Sequence, residues 1–256
     1  MIHASHGEFP RAVFAPGDAR QAFDVMGKAF NMADKYQTPV IVLGDQHLND
    51  SYFTLDKGDL VPAPVDRGKI ISDSDIGSLK EYRRYAWDKS GISPRILPGL
   101  SKAVLYADSD EHTEAGHITE SAAIRNRMME KRMRKMTGMV REMAPPETTP
   151  SSKPEIVLLG WGSTRGVLKE TVDLMNKEGM KARMLHFSDI FPLPGKNRLK
   201  SRFQDVKIFA VENNFTGQFA GYFTQETGIP VHQKILKYDG RPFTPDNLLS
   251  RVKDAL

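Results

Sequence analysis

The 256-residue chain is 39% apolar and 27% charged, an ordinary globular balance that excludes a disordered or low-complexity protein. Its formal charge of +4, from 36 basic and 32 acidic residues, is spread along the chain; it permits an acidic partner without demanding nucleic acid. There is no cysteine, which excludes disulfides and an iron–sulfur cluster held by this chain's own thiolates. No stretch approaches the ~20 apolar residues of a membrane span, and Met1-Ile2-His3-Ala4-Ser5-His6 lacks the layout of a signal peptide. A cytoplasmic protein with no membrane partner is therefore expected.

The first element in chain order is an amphipathic helix from Asp18 to Tyr36. Ala22, Phe23, Met26, Ala29, Phe30 and Ala33 recur at helical spacing, Asp18 and Gln21 resemble a capping pair, and Pro16-Gly17 breaks the chain before it. The run Pro39-Val40-Ile41-Val42-Leu43, stopped by Gly44-Asp45, predicts a buried parallel strand. One helix and one strand are too little for a domain. No strand is predicted before them, so the chain is expected to enter a fold whose first half lies on another segment.

From Ser51 to about Pro150 the periodicity loosens, with Pro62, Pro64, Pro94 and Pro98 punctuating short apolar pieces. An extended connection is expected here, ending in a helix from about Glu120 to Glu142. Ile124, Met128, Met133, Met136, Val140 and Met143 line one side of it. Arg125, Arg127, Lys131, Arg132, Arg134 and Lys135 are expected to remain solvated on the rest. Pro145-Pro146 and Thr148-Thr149-Pro150 mark a hinge.

From Ser151 a βα rhythm begins. Strands are predicted at Glu155–Leu159, Lys181–Leu185, Val206–Val211 and Gln233–Leu236, with helices between them and a closing helix at Thr244–Leu256. Strands alternating with helices define an α/β fold with a mostly parallel sheet.

Two turns stand out. Gly160-Trp161-Gly162-Ser163-Thr164-Arg165-Gly166 joins a strand to a helix N-terminus, where free N–H groups hold anions. It is neither a dinucleotide fingerprint, because Arg165 takes the third glycine's place, nor a P-loop; tight-turn geometry is the plainer reading. The other candidates are Glu212, Asn213, Asn214, Thr216 and Gly217, in a turn at the carboxyl end of a parallel strand, where open α/β sheets bind ligands. A self-satisfied turn network is the alternative. Asp45 and Gln46 also follow a strand end, with helix capping as their plainer use. His112 and His117 lack an evident third metal ligand. Two other functions fit the pattern more weakly. One is a stand-alone nucleotide-binding module on 151–256; the other is a nucleic-acid binder using the 125–135 basic face, which carries no interleaved aromatics.

Three stretches together resemble the alpha subunit of 2-oxoacid:ferredoxin oxidoreductases, especially the 2-oxoglutarate type. The first is His3-Ala4-Ser5-His6-Gly7-Glu8-Phe9-Pro10-Arg11 with Ala15-Pro16-Gly17, running on to Tyr36-Gln37-Thr38-Pro39-Val40-Ile41 and Asp45-Gln46. The second joins Gly91-Ile92-Ser93-Pro94-Arg95, His112, Gly116-His117-Ile118-Thr119-Glu120 and Glu130-Lys131-Arg132-Met133-Arg134-Lys135. The third is Val211-Glu212-Asn213-Asn214-Phe215-Thr216-Gly217-Gln218.

The resemblance implies a thiamine-diphosphate enzyme that decarboxylates a 2-oxoacid, sends two electrons through iron–sulfur clusters to ferredoxin and passes the acyl group to coenzyme A. It implies the end of a transketolase-type pyrimidine-binding domain at 1–55, an extended connection, and a transketolase C-terminal-like domain at 151–256. The chain departs from the family pattern in lacking the Tyr-Pro-Ile-Thr-Pro type motif and the Gly-Asp-Gly…Asn-Asn diphosphate motif; Gly44-Asp45-Gln46 and Asn213-Asn214 are too far apart to form the latter. This chain alone is therefore expected to bind no cofactor. A beta subunit would supply the Mg2+-anchored diphosphate site and the cluster, and a missing N-terminal alpha segment would supply the rest.

Overall fold

The computed structural model of the chain describes residues 1–77, 81–99, 103–150, 153–203 and 206–256. The elements run β1 (Ala12–Phe14), α1 (Ala19–Tyr36), β2 (Val40–Val42), α2 (Gln46–Asp50), α3 (Asp73–Ile76), α4 (Ala122–Glu142) and β3 (Glu147–Thr148). They continue with β4 (Ile156–Trp161), α5 (Arg165–Lys177), β5 (Ala182–Phe187), β6 (Asp189–Phe191), α6 (Lys196–Phe203), β7 (Lys207–Glu212), α7 (Gln218–Thr227), β8 (Gln233–Leu236) and α8 (Pro245–Asp254). The chain divides into two compact units. The first gathers Met1–Ala12, Gly27–Val40 and Ala63–Glu142; the second gathers Val13–Met26, Ile41–Pro62 and Met143–Leu256.

In the second unit five strands form one sheet in the order β3-β5-β4-β7-β8. The βα rhythm is as expected: β4, β5, β7 and β8 are parallel, with β3 added antiparallel at one edge. Ile156-Val157-Leu158-Leu159 and all six residues of β5 are buried, because helices cover both faces of a parallel sheet. The core on one face joins Leu158, Met184, Phe209 and Ile235 to Leu168, Val172 and Met175 of α5 and to Leu248 and Val252 of α8. Helix α8 starts as its sequence suggests: the Thr244 side chain caps it by accepting from the Asn247 N–H, and Pro245 follows.

The strand Val40–Val42 is not isolated, contrary to the expectation that no strand precedes it. β1 lies beside it, in a sheet of order β2-β1-β6. The Ala12 N–H donates to the Pro39 carbonyl and the Leu43 N–H to the Phe14 carbonyl, the same-direction pattern of a parallel pair. β6 closes the other side antiparallel, with Val13 opposite Phe191. At three residues, β1 is too short to show periodicity. β2 is an edge strand and only half-buried in this chain, rather than fully buried.

In the first unit, α4 carries a second correction. Its buried residues are Met128, Lys131 and Met139, so the inward face includes a lysine expected to be solvated. Lys131 is 5% exposed, and its ammonium donates to the Tyr85 carbonyl at 2.7 Å and to Ser93 Oγ at 2.5 Å, which offsets part of its desolvation. Lys135 donates to the Gln37 carbonyl at 3.0 Å. Arg125 and Arg132 both donate to the buried carboxylate of Glu111, at 2.9 and 2.5–3.0 Å. No helix of the described residues is long and apolar enough to cross a membrane.

Candidate functional site

Loops at the carboxyl ends of β2, β4, β7 and β8, with the start of α1, surround a cavity of about 900 Å3 in the second unit. Its walls include Asp18, Arg20, Gln46, His47, Ser163, Asn213 and Arg241. This is the side of an open α/β sheet where ligand crevices form.

Two turns meet at its floor. A Cβ on Gly17 would stand 2.6 Å from Arg165 Cβ and 2.7 Å from the Gly162 carbonyl oxygen, so only glycine permits this approach. Asp18 caps α1 as expected, accepting from the Gln21 N–H at 2.8 Å, while the Gln21 side chain reaches back to the Gly17 N–H at 2.8 Å. The other carboxylate oxygen of Asp18 accepts from Arg165, whose guanidinium also grips Glu147 through two bonds of 2.7 and 2.9 Å. The Glu147 carboxylate holds the Arg165 pKa above its ordinary value. Below the turn, buried His186 contacts the Gly162 carbonyl through Nε2 at 2.8 Å, and burial lowers its pKa to about 4, which keeps the ring neutral. Sequence reasoning missed both Glu147 and His186. No short-range signal marks them, because β3 is two residues long and His186 sits within an apolar run.

Each candidate residue has a definite place. Glu212 is 1% exposed and accepts from Trp161 Nε1 at 3.2 Å, Asn214 Nδ2 at 2.8 Å and the Phe219 and Ala220 N–H groups at 2.9 and 2.8 Å. Its acceptors are occupied in tying β7 to the start of α7. Asn214 Oδ1 accepts from the Gly217 N–H at 2.7 Å, and the Thr216 carbonyl accepts from the Lys234 ammonium at 3.1 Å. Gly217 takes a left-handed φ of 67° where a Cβ would meet the Lys234 side chain at 2.8 Å. Asp45 caps α2 through the Leu48 N–H at 2.9 Å and accepts from the Ser163 hydroxyl. The structure thus brings Asp45, Gln46 and Asn213 onto one cavity wall, while Glu212, Asn214, Thr216 and Gly217 form the turn behind it.

The described residues offer little to a diphosphate–metal group. None of them form a cluster of three or more His, Asp or Glu placed to hold a cation. The carboxylates nearest the turn are occupied by arginine or by backbone N–H groups. No chemical step through such a group is derived from this chain.

An open α/β sheet with a crevice at its strand ends is the class of domain this fold defines. Comparison with known proteins places it further. Residues 1–131 match the family model for pyruvate flavodoxin/ferredoxin oxidoreductase, thiamine diphosphate-binding. The alpha subunit of 2-oxoacid:ferredoxin oxidoreductase 1 from Sulfurisphaera tokodaii is 37% identical over 96% of this chain and 39% of its own length. That of 2-oxoacid:ferredoxin oxidoreductase 2 from Aeropyrum pernix is 34% identical over 100% of this chain and 40% of its own. The 2-oxoglutarate:ferredoxin oxidoreductase of Magnetococcus marinus, solved with 2-oxoglutarate, coenzyme A and succinyl-CoA, superposes with a TM-score of 0.82 at 28% identity, covering 99% of this chain and 43% of that one. The chain belongs to the 2-oxoacid:ferredoxin oxidoreductase alpha-subunit family, and it spans about 40% of the length of the relatives it matches.

Proposed function

We propose that this chain supplies part of the alpha subunit of a thiamine-diphosphate-dependent 2-oxoglutarate:ferredoxin oxidoreductase. The assembled enzyme would decarboxylate the 2-oxoacid oxidatively, pass the acyl group to coenzyme A and release electrons to ferredoxin. The observation that carries this reading is the superposition on a 2-oxoglutarate-acting relative over 99% of the chain. Within it, 1–55 would end the thiamine pyrimidine-binding domain, 56–150 would connect, and 151–256 would form the transketolase C-terminal-like domain. Asp45, Gln46 and Asn213 would face cofactor or a subunit junction across the cavity, with Glu212, Asn214, Thr216 and Gly217 shaping that wall.

The chain's own chemistry supports dependence on partners. It has no cysteine to ligate a cluster, and its described residues gather no carboxylate group for Mg2+. The beta subunit would bring both, in the cytoplasm. The half-buried edge strand β2 leaves backbone groups on its outer side for a strand of the remaining alpha segment. The substrate test is direct. The chain co-expressed with that segment and a beta subunit should reduce viologen with 2-oxoglutarate and coenzyme A, at a kcat/KM well above that for pyruvate. A preference for pyruvate would overturn the choice of substrate.

A further inference from the structure

The basic side chains of α4 from Arg125 to Lys135, with the neighbouring Arg84, divide into two groups. Arg125 and Arg132 share the single carboxylate of Glu111. Arg84, Arg127, Lys131, Arg134 and Lys135 have no carboxylate partner within salt-bridge distance among the described residues. Lys131 and Lys135 bond only to carbonyls and a hydroxyl, and each feels the positive charge of Arg84. The acids around them are otherwise engaged: Asp88 holds Lys69, and Glu114 accepts from the Trp87 N–H and lies 3.6 Å from Arg83. Glu130, exposed on α4, forms no ion pair with them. Asp88 and Glu114 offset only part of this charge, since burial and the neighbouring cations still lower the Lys131 pKa.

Trp87 arranges two of these cations. Arg127 lies over its ring at 4.5 Å and Arg134 at 4.6 Å. Residues seven apart on a helix are about 10.5 Å apart along its axis, which fits an indole gripped between the two guanidiniums. Arg134 Nε donates to the Glu130 carbonyl at 3.3 Å, and the position over the ring leaves the terminal Nη donors of both guanidiniums for a carboxylate. It also covers the indole, so no nucleobase can stack there, although an aromatic does interleave this basic face.

We propose that the Arg84, Arg127 and Arg134 face of the first unit, backed by Lys131 and Lys135, docks a carboxylate-rich surface of a protein partner. Charge complementarity selects the occupant: stacked guanidinium forks match carboxylates, and the covered tryptophan disfavours bases.

The test uses the full chain, fluorescence anisotropy at low ionic strength, a labelled oligoglutamate peptide and an oligothymidylate of the same length. The unaltered chain should bind the peptide. Arg127→Gln with Arg134→Gln should weaken that binding about tenfold, with an unchanged thermal midpoint confirming the fold. Lys169→Gln with Lys177→Gln, which removes equal charge from exposed positions of α5, should leave it within about twofold. Equal losses in both double variants, tighter binding of the oligothymidylate, or no peptide binding would each overturn the proposal.

Discussion

The Glu212 cluster of the second unit and the Lys131 cluster of the first treat buried charge in opposite ways. In the second, Glu212 accepts from four donors and Arg165 is shared between Glu147 and Asp18. In the first, Lys131 and Lys135 bond only to neutral acceptors, and burial with the neighbouring cations outweighs the pull of Glu114 and Asp88 on Lys131. A buried charge with every bond made is architecture, holding turns around the crevice. A charge cluster left unneutralised costs stability and marks a place where another molecule is expected.

That contrast can be broken by mutation. The largest effect should come from Glu212→Ala, which leaves two α7 N–H groups and the Trp161 indole N–H without an acceptor. A loss of about 3–5 kcal/mol is expected in denaturant unfolding; a loss below about 1 kcal/mol would show that the network is not structural. Arg165→Ala should cost less, about 1.5–3 kcal/mol, because the Asp18 and Glu147 carboxylates it abandons are partly exposed and can hydrate.

Lys131 should act in the opposite sense. Burial, with the charges of Lys135 and Arg84, lowers its pKa from 10.5 to about 8. Between these values the unfolded chain binds more protons than the folded one, so stability rises as pH climbs from about 8 to about 10.5. Lys131→Met should roughly halve that rise, because Lys135, also lowered to about 8 by burial and by Arg84 and Arg132, keeps its own share, and should leave stability near pH 7 equal or higher. Unchanged slopes in paired pH titrations of unfolding would refute this picture of the first unit.

Much of the second unit was legible in the chain itself. Ile156–Leu159 and Ile208–Val211 are short unbroken apolar runs, as a doubly covered sheet requires, and Asp18 with Gln21 and Thr244 with Pro245 are local signals that need no distant partner. What escaped was non-local. β1, β3 and β6 are two or three residues long and exist only through their neighbours. Glu147 looks like a surface residue until Arg165 reaches it, 18 positions on. Lys131 reads as a solvated charge because nothing in its own helix shows that Tyr85 and Ser93 will cover it. In the candidate site, Asp45, Gln46 and Asn213 were legible as residues following strand ends, whereas the division of the 212–217 turn into a cavity wall and its support depends on hydrogen bonds that no spacing reveals.

The dependence on partners is tested most directly by 2-oxoglutarate-dependent viologen reduction in the presence of thiamine diphosphate, Mg2+ and coenzyme A. The purified chain alone should give no turnover, and the same chain copurified with the remaining alpha segment and a beta subunit should be active. Turnover by the solitary chain, or a silent assembly in which all three components are present and folded, would contradict the account.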